Sequence, residues 1–123
     1  MAKRVLDVGN CSFDYSSIRK MIESSFDAVV LQAHDEEDAL ATLSSDQIDL
    51  VLVNRRLDAD RSDGIEIIRR IKRTAELAAI PTMVVTNYPE HQQRAVEAGA
   101  EWGFGKAELN APETIDKLKA ILE

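Results

Sequence analysis

The chain has 123 residues, a length that fits one domain and can bury one hydrophobic core. Its 45% hydrophobic and 30% charged content excludes a disordered chain, and a net charge of −7 argues against direct nucleic-acid binding because phosphates are repelled. Cys11 is the one cysteine, so no internal disulfide can form, and no apolar run has signal-peptide or transmembrane length; a cytoplasmic location is expected.

Short apolar, β-branched runs alternate with amphipathic stretches. Strands are expected over 4–9, 28–32, 49–54, 80–86 and 101–104. The third and fourth are apolar along most of their length, as in Leu50-Val51-Leu52-Val53 and Met83-Val84-Val85, which suits the middle of a parallel sheet covered on both faces. Tyr15, Ile18, Ile22 and Phe26 share one face of a first helix. Asp35 opens a second, with acids in the first turn. Asp63 with Glu66 reads as a capping box ahead of Ile65, Ile68 and Ile71. A fourth helix is expected over 89–98, ending at Gly99. Asn110, Pro112 and Glu113 read as a cap, an early proline and a third-position glutamate for the last helix, whose apolar face is Ile115, Leu118 and Ile121 or Leu122.

Five consecutive βα units predict an α/β fold, an open, doubly wound, five-stranded parallel sheet with helices on both faces. A site on such a sheet lies at the carboxyl ends of its strands. Those ends are Gly9-Asn10, Asn54, Thr86 and Phe104-Gly105-Lys106.

Several segments in order carry a family pattern: Arg4-Val5-Leu6-Asp7-Val8, then Ala33 to Leu40, Asp49-Leu50-Val51-Leu52-Val53, Ile80 to Thr86, and Ala95 to Glu101. In this the chain resembles a response-regulator receiver domain over essentially its whole length, 1–123, as one receiver-like domain. The resemblance implies a flavodoxin-like strand order of 2-1-3-4-5. It also implies an acidic pair after the first strand, a phospho-acceptor aspartate after the third, Thr or Ser after the fourth, and Lys-Pro after the fifth. Thr86 and Lys106 match. Gly9 and Asn10 stand in place of the acidic pair, Asn54 in place of the acceptor, Ala107 in place of the proline, and Gly103 at the switch-aromatic position. The loop after Asn54 is longer than the family's.

An asparagine amide is a poor nucleophile and forms no acyl phosphate. Mg²⁺ sheds water reluctantly and requires carboxylates, so its binding is expected to be lost and no cofactor is expected. Among Gly9, Asn10, Asn54, Thr86 and Lys106 the lysine is the sole charge, which suits an anion or water better than a cation. Lys106 is expected to bond Asn54 or backbone carbonyls. Asp7, costly on a buried strand, is expected to pair with Lys106 or face a polar gap. His34 and His91 read as solvated, and Asp58, Asp60 and Asp63 as turn and cap residues. Arg55, Arg56, Arg61, Arg69, Arg70, Lys72 and Arg73 read as a solvated helix face with its preceding loop; a docking patch for an acidic partner is the sharper alternative. Trp102 and Phe104 form a candidate interaction face.

The expected function is that of an atypical receiver domain in two-component signalling that acts by phosphorylation-independent protein contact. Its expected partner is a protein: a histidine kinase, another regulator or a second copy, with neither nucleic acid nor membrane. The alternative is a receiver still switched by an anion or small ligand at the altered pocket, or by phosphorylation elsewhere. No nucleophile–base pair, cofactor loop or metal cluster stands out at the strand ends, so an enzyme is not expected. Restoring aspartates at positions 9, 10 and 54 is expected to restore Mg²⁺ binding.

Overall fold

The computed structural model describes residues 2–123. Strands β1 (Lys3–Val8), β2 (Ala28–Ala33), β3 (Leu50–Asn54), β4 (Thr82–Val85) and β5 (Glu101–Phe104) form one sheet in the order β2-β1-β3-β4-β5. All four pairings are parallel, with Val8 opposite Val53 and Asn54 opposite Val85. Helices α1 (Ser12–Ser25), α2 (Glu36–Ser45), α3 (Gly64–Arg73), α4 (Pro89–Glu97) and α5 (Pro112–Leu122) alternate with the strands. This is the flavodoxin-like architecture expected from the chain. No helix among the described residues is long and apolar enough to cross a membrane.

Side chains alternate across each strand and so build two cores. Leu6, Val8, Val51, Val53 and Val84 pack with Ala39 and Leu43 of α2, Ile65, Ile67, Ile68 and Ile71 of α3, and Ala95 of α4. Val5, Leu50, Leu52, Met83 and Val85 pack with Ile18, Met21 and Ile22 of α1 and Leu118 and Leu122 of α5. The four α3 isoleucines are nearly inaccessible, each burial stabilising by about 1.5–3 kcal/mol. Because β2 and β3 flank β1 on opposite sides, α1 and α2 cover opposite faces. The loops after β1 and β3 part at that switch point and leave a crevice.

The ends of elements differ from the expectation in detail. β1 stops at Val8 because Gly9 turns away with a φ of 80°, and β4 is confined to Thr82–Val85, following Pro81. Asp35 accepts the Asp38 N–H at 2.8 Å and Asp63 accepts the Ile65 N–H at 3.0 Å, capping α2 and α3. Glu66 does not complete a capping box; Arg69, one turn on, takes its carboxylate at 2.6 Å. Asn110 is not the cap of α5: Ala111 holds that position, Pro112 sets the first turn, and Thr114 Oγ1 donates to the Glu108 carbonyl at 2.7 Å. A single 3-10 turn, Lys106–Glu108, joins β5 to this helix.

Candidate functional site

The crevice at the carboxyl edge is a cavity of about 440 Å³ lined by the ends of β3 and β4, the loop after β3, the start of α1, and Lys106. Asn54, Thr86 and Lys106 all reach it, whereas Gly9 and Asn10 lie beneath it, buried. Asn54 Nδ2 donates to the Gly9 carbonyl at 3.3 Å, and the Asp58 N–H donates to the same oxygen at 2.8 Å. The loop after β3 thereby folds back over β1. It carries Leu57, which is fully buried, into the space a side chain at position 9 would need: a Cβ there would lie 2.3 Å from Leu57 Cγ.

Asn10 turns inward as well. Its amide donates to Asp7 Oδ1 at 2.5 Å, and both groups are buried. Burial pushes the Asp7 carboxyl up to about 7, against the Asn10 hydrogen bond and the Lys106 charge, which lower it, and with Asp14, which raises it. Asp7 Oδ2 and Asn10 Oδ1, both buried, have no hydrogen-bond partner. Burial of an oxygen with no partner favours the neutral acid over the carboxylate.

Lys106 pairs with neither Asn54 nor Asp7. Its Nζ is 2.9 Å from Asp14 Oδ2 in the first turn of α1. The expectation failed because it considered only the strand ends. Asp14 lies four residues after Asn10, where the first turn of α1 overhangs the cavity. Cys11, also in the cavity wall, directs its thiol to Asp14 at 3.4 Å.

His91 is not a solvated bystander. It is half-buried in the cavity wall, with Arg55 Nε–H 3.2 Å from its ring nitrogens and Thr86 Oγ1 3.4 Å from Nδ1. Burial and then the Arg55 charge lower its pKa, so the neutral ring accepts from Arg55. Thr86 is itself buried and its hydroxyl accepts the Tyr88 N–H at 3.3 Å. The arginine series also divides: Arg55, Arg56 and Arg61 line the cavity, whereas Arg69 and Arg70 lie along α3 and Lys72 donates to the Ala78 and Ile80 carbonyls.

Position 103, where the resemblance implies a switch aromatic, is a glycine bonded to the buried amide of Gln92. Gln92 Nε2 donates to the Val84 and Thr86 carbonyls at 3.1 and 3.3 Å, and its Oε1 accepts the Gly103 N–H at 2.7 Å. A Cβ on Gly103 would lie 2.3 Å from the Val84 carbonyl oxygen. Gln92 escaped notice in the sequence, although a polar residue three before the buried Ala95 stood on the apolar face of its helix. Of the candidate interaction face, Trp102 is 42% exposed but Phe104 is 2% exposed and belongs to the core, since a bulge at this edge turns the two to different environments.

The donor set does not fit a magnesium ion. Positions 9, 10 and 54 offer no carboxylate, Asp7 is buried under Asn10, and Asp14 is engaged by Lys106, which leaves Asp58 as a lone carboxylate in the wall where Mg²⁺ calls for more. Among the described residues no group of three or more His, Cys, Asp or Glu is arranged to hold a metal.

The model of the response regulator receiver domain family matches residues 13–119. A gliding motility regulatory protein of Myxococcus xanthus is 31% identical over 94 residues, covering 72% of this chain; the chain spans 12% of that relative's length. The signal receiver domain of a DNA-binding response regulator from Colwellia psychrerythraea superposes with a TM-score of 0.82 at 26% identity, covering 96% of each chain. A chemotaxis response regulator of Vibrio cholerae superposes with a TM-score of 0.77, covering 99% of this chain and all of that one; at 19% identity it speaks to the fold alone. The chain belongs to the response regulator receiver domain family, the regulatory module of two-component signalling.

Proposed function

We propose that this receiver domain does not take up a phosphoryl group at the end of β3 and transmits its signal by protein contact independent of phosphorylation. The observation that carries the reading is Asn54, whose neutral amide ends β3 and donates to the Gly9 carbonyl where phosphotransfer requires a carboxylate nucleophile. Three further features support it. The strand ends at positions 9, 10 and 54 carry no carboxylate, and of the two aspartates in the cavity wall Asp14 is paired with Lys106, a donor set poorly suited to Mg²⁺. Leu57 fills the space beside position 9. Gln92 bridges α4, β4 and Gly103 of β5, so the usual coupling route is tied in one arrangement.

The partner is a protein of the same signalling system, a histidine kinase or another regulator, or a second copy of the domain. It docks on the face around α4, β5 and α5, where Trp102 and Val96 are exposed. The test has two parts. After incubation with acetyl phosphate and Mg²⁺, intact mass shows no adduct. Partner affinity by calorimetry is the same with and without the phosphodonor. A phosphoryl adduct on the β3 terminus, or a roughly tenfold affinity difference, the least a working switch needs, overturns the reading.

A further inference from the structure

The loop from Arg55 to Asp63 brings three arginines to the cavity where the family's acidic chemistry is missing. Arg55 follows Asn54 directly, and Arg56 is held by an antiparallel bridge to Asp63. Arg61 adopts a φ of 63°, a left-handed conformation disfavoured for any residue with a Cβ and kept only where the surroundings impose it. Here they do. The Arg61 N–H donates to the Leu57 carbonyl at 2.9 Å, the Leu57 N–H donates to the Ser62 carbonyl at 2.9 Å, and Asp60 accepts from both the N–H and hydroxyl of Ser62. Buried Leu57 anchors this closed loop to the sheet edge.

Among the described residues, none of Arg55, Arg56 and Arg61 is within ion-pair distance of a carboxylate. Arg55 uses Nε on His91 and has both Nη groups unassigned. Of the acids in the wall, Asp14 is engaged by Lys106, leaving Asp58 against three arginines that have no carboxylate partner. In a chain of net charge −7 this is a localised positive field inside a concave wall, which draws small anions. Planar guanidinium forks match phosphate oxygens two at a time. The volume of about 440 Å³ is that of a small-molecule site and far exceeds a lone phosphate. At its rim Tyr88 is 61% exposed, its ring edge-to-face with His91, and offers a surface on which a flat ring can stack.

We propose that the cavity binds a nucleotide-sized phosphate monoester, with its phosphate held by Arg55, Arg56 and Arg61 and its ring against Tyr88. The inference rests on the reading of this pocket as one without a phospho-acceptor. It makes the non-covalent ligand, rather than a covalent phosphoryl group, the input to the domain.

Calorimetry of the whole chain, without metal, tests this with the four common nucleoside 5′-monophosphates, ribose 5-phosphate, inorganic phosphate and adenosine. At least one monophosphate binds saturably, ribose 5-phosphate binds more weakly, and adenosine does not bind. Arg55→Ala and Arg61→Ala each weaken nucleotide binding by roughly tenfold or more. Tyr88→Ala weakens the nucleotide and leaves ribose 5-phosphate unchanged. Arg73→Ala, exposed and outside the cavity, changes nothing. Circular dichroism confirms that each variant is folded; if an arginine variant is not, Arg55→Lys and Arg61→Lys replace it and lose affinity for want of the fork. The proposal is overturned if no monophosphate binds, if adenosine binds as well as its phosphate, if inorganic phosphate equals the nucleotides, or if the arginine variants bind normally. The phosphodonor mass measurement is independent, so a phosphoryl adduct there and an absence of ligand binding here identify different failures.

Discussion

Leu57 occupies the place of a side chain at position 9. Gly9 has a φ of 80°, and a Cβ built on it would meet Leu57 Cγ at 2.3 Å and Cδ1 at 3.0 Å. In the simple restoration of three aspartates at positions 9, 10 and 54, Gly9→Asp therefore adds both a left-handed Cβ and a clash with a buried leucine, which the fold must absorb before Mg²⁺ can bind. Gly9→Asp is expected to cost about 2–4 kcal/mol in urea unfolding, from backbone strain and overpacking. Adding Leu57→Ala relieves the clash, so the double variant is less destabilised than the two single effects together. Strict additivity of the two would show that Leu57 does not fill that space.

Asp7 makes stability depend on pH in a direction unusual for a carboxylate. Burial raises its pKa from 3.8 to about 7, so the folded protein keeps a proton that the unfolded chain releases. Across that window the unfolded state binds fewer protons and stability falls as pH rises, levelling off above about 7. The total is on the order of 4 kcal/mol. Asp7→Asn removes the slope: it matches the parent near pH ~4 and exceeds it by a few kcal/mol near pH ~8. Denaturant melts of both proteins across that range check this. A constant difference between them would mean that Asp7 does not titrate there.

Gln92 is 3% exposed and ties α4 to two strands through three hydrogen bonds. Gln92→Ala leaves the buried Gly103 N–H without its acceptor and is expected to cost about 2–4 kcal/mol. Amide exchange at Gly103 should accelerate before that of the β3 amides. Unchanged exchange at Gly103 would show that the amide is not held through Gln92.

Trp102 and Phe104 are two residues apart and should respond oppositely to truncation. Phe104 is 2% exposed within the α1–α5 core, so Phe104→Ala costs about 3–5 kcal/mol. Trp102 is 42% exposed, so Trp102→Ala leaves the unfolding midpoint nearly unchanged and weakens partner binding by roughly tenfold or more. Titration of the parent with millimolar Mg²⁺ should leave Trp102 fluorescence flat; a saturable, chelator-reversible change would reveal a metal site.

Much of the architecture was determined by the sequence itself, because it depends on local chemistry repeated along the chain. The doubly apolar runs of β3 and β4 demand cover on both faces. Asp35 and Asp63 cap their helices through bonds spanning three residues or fewer. The strand-end positions of Asn54, Thr86 and Lys106 follow from the same alternation, as does the absence of a carboxylate at the end of β3. What the pocket contains instead was decided by the tertiary structure. The partner of Lys106 is Asp14, 92 positions away in the chain, and Arg55 meets His91 from across β4. The loop after Asn54 reads as turn chemistry until it folds onto the Gly9 carbonyl, buries Leu57 and turns its arginines into the cavity. Periodicity reports which face of its own element a residue occupies. It carries no record of which distant group the folded chain sets against that residue, and at the edge of this sheet those distant pairings set the charge, the shape and the fit of the site.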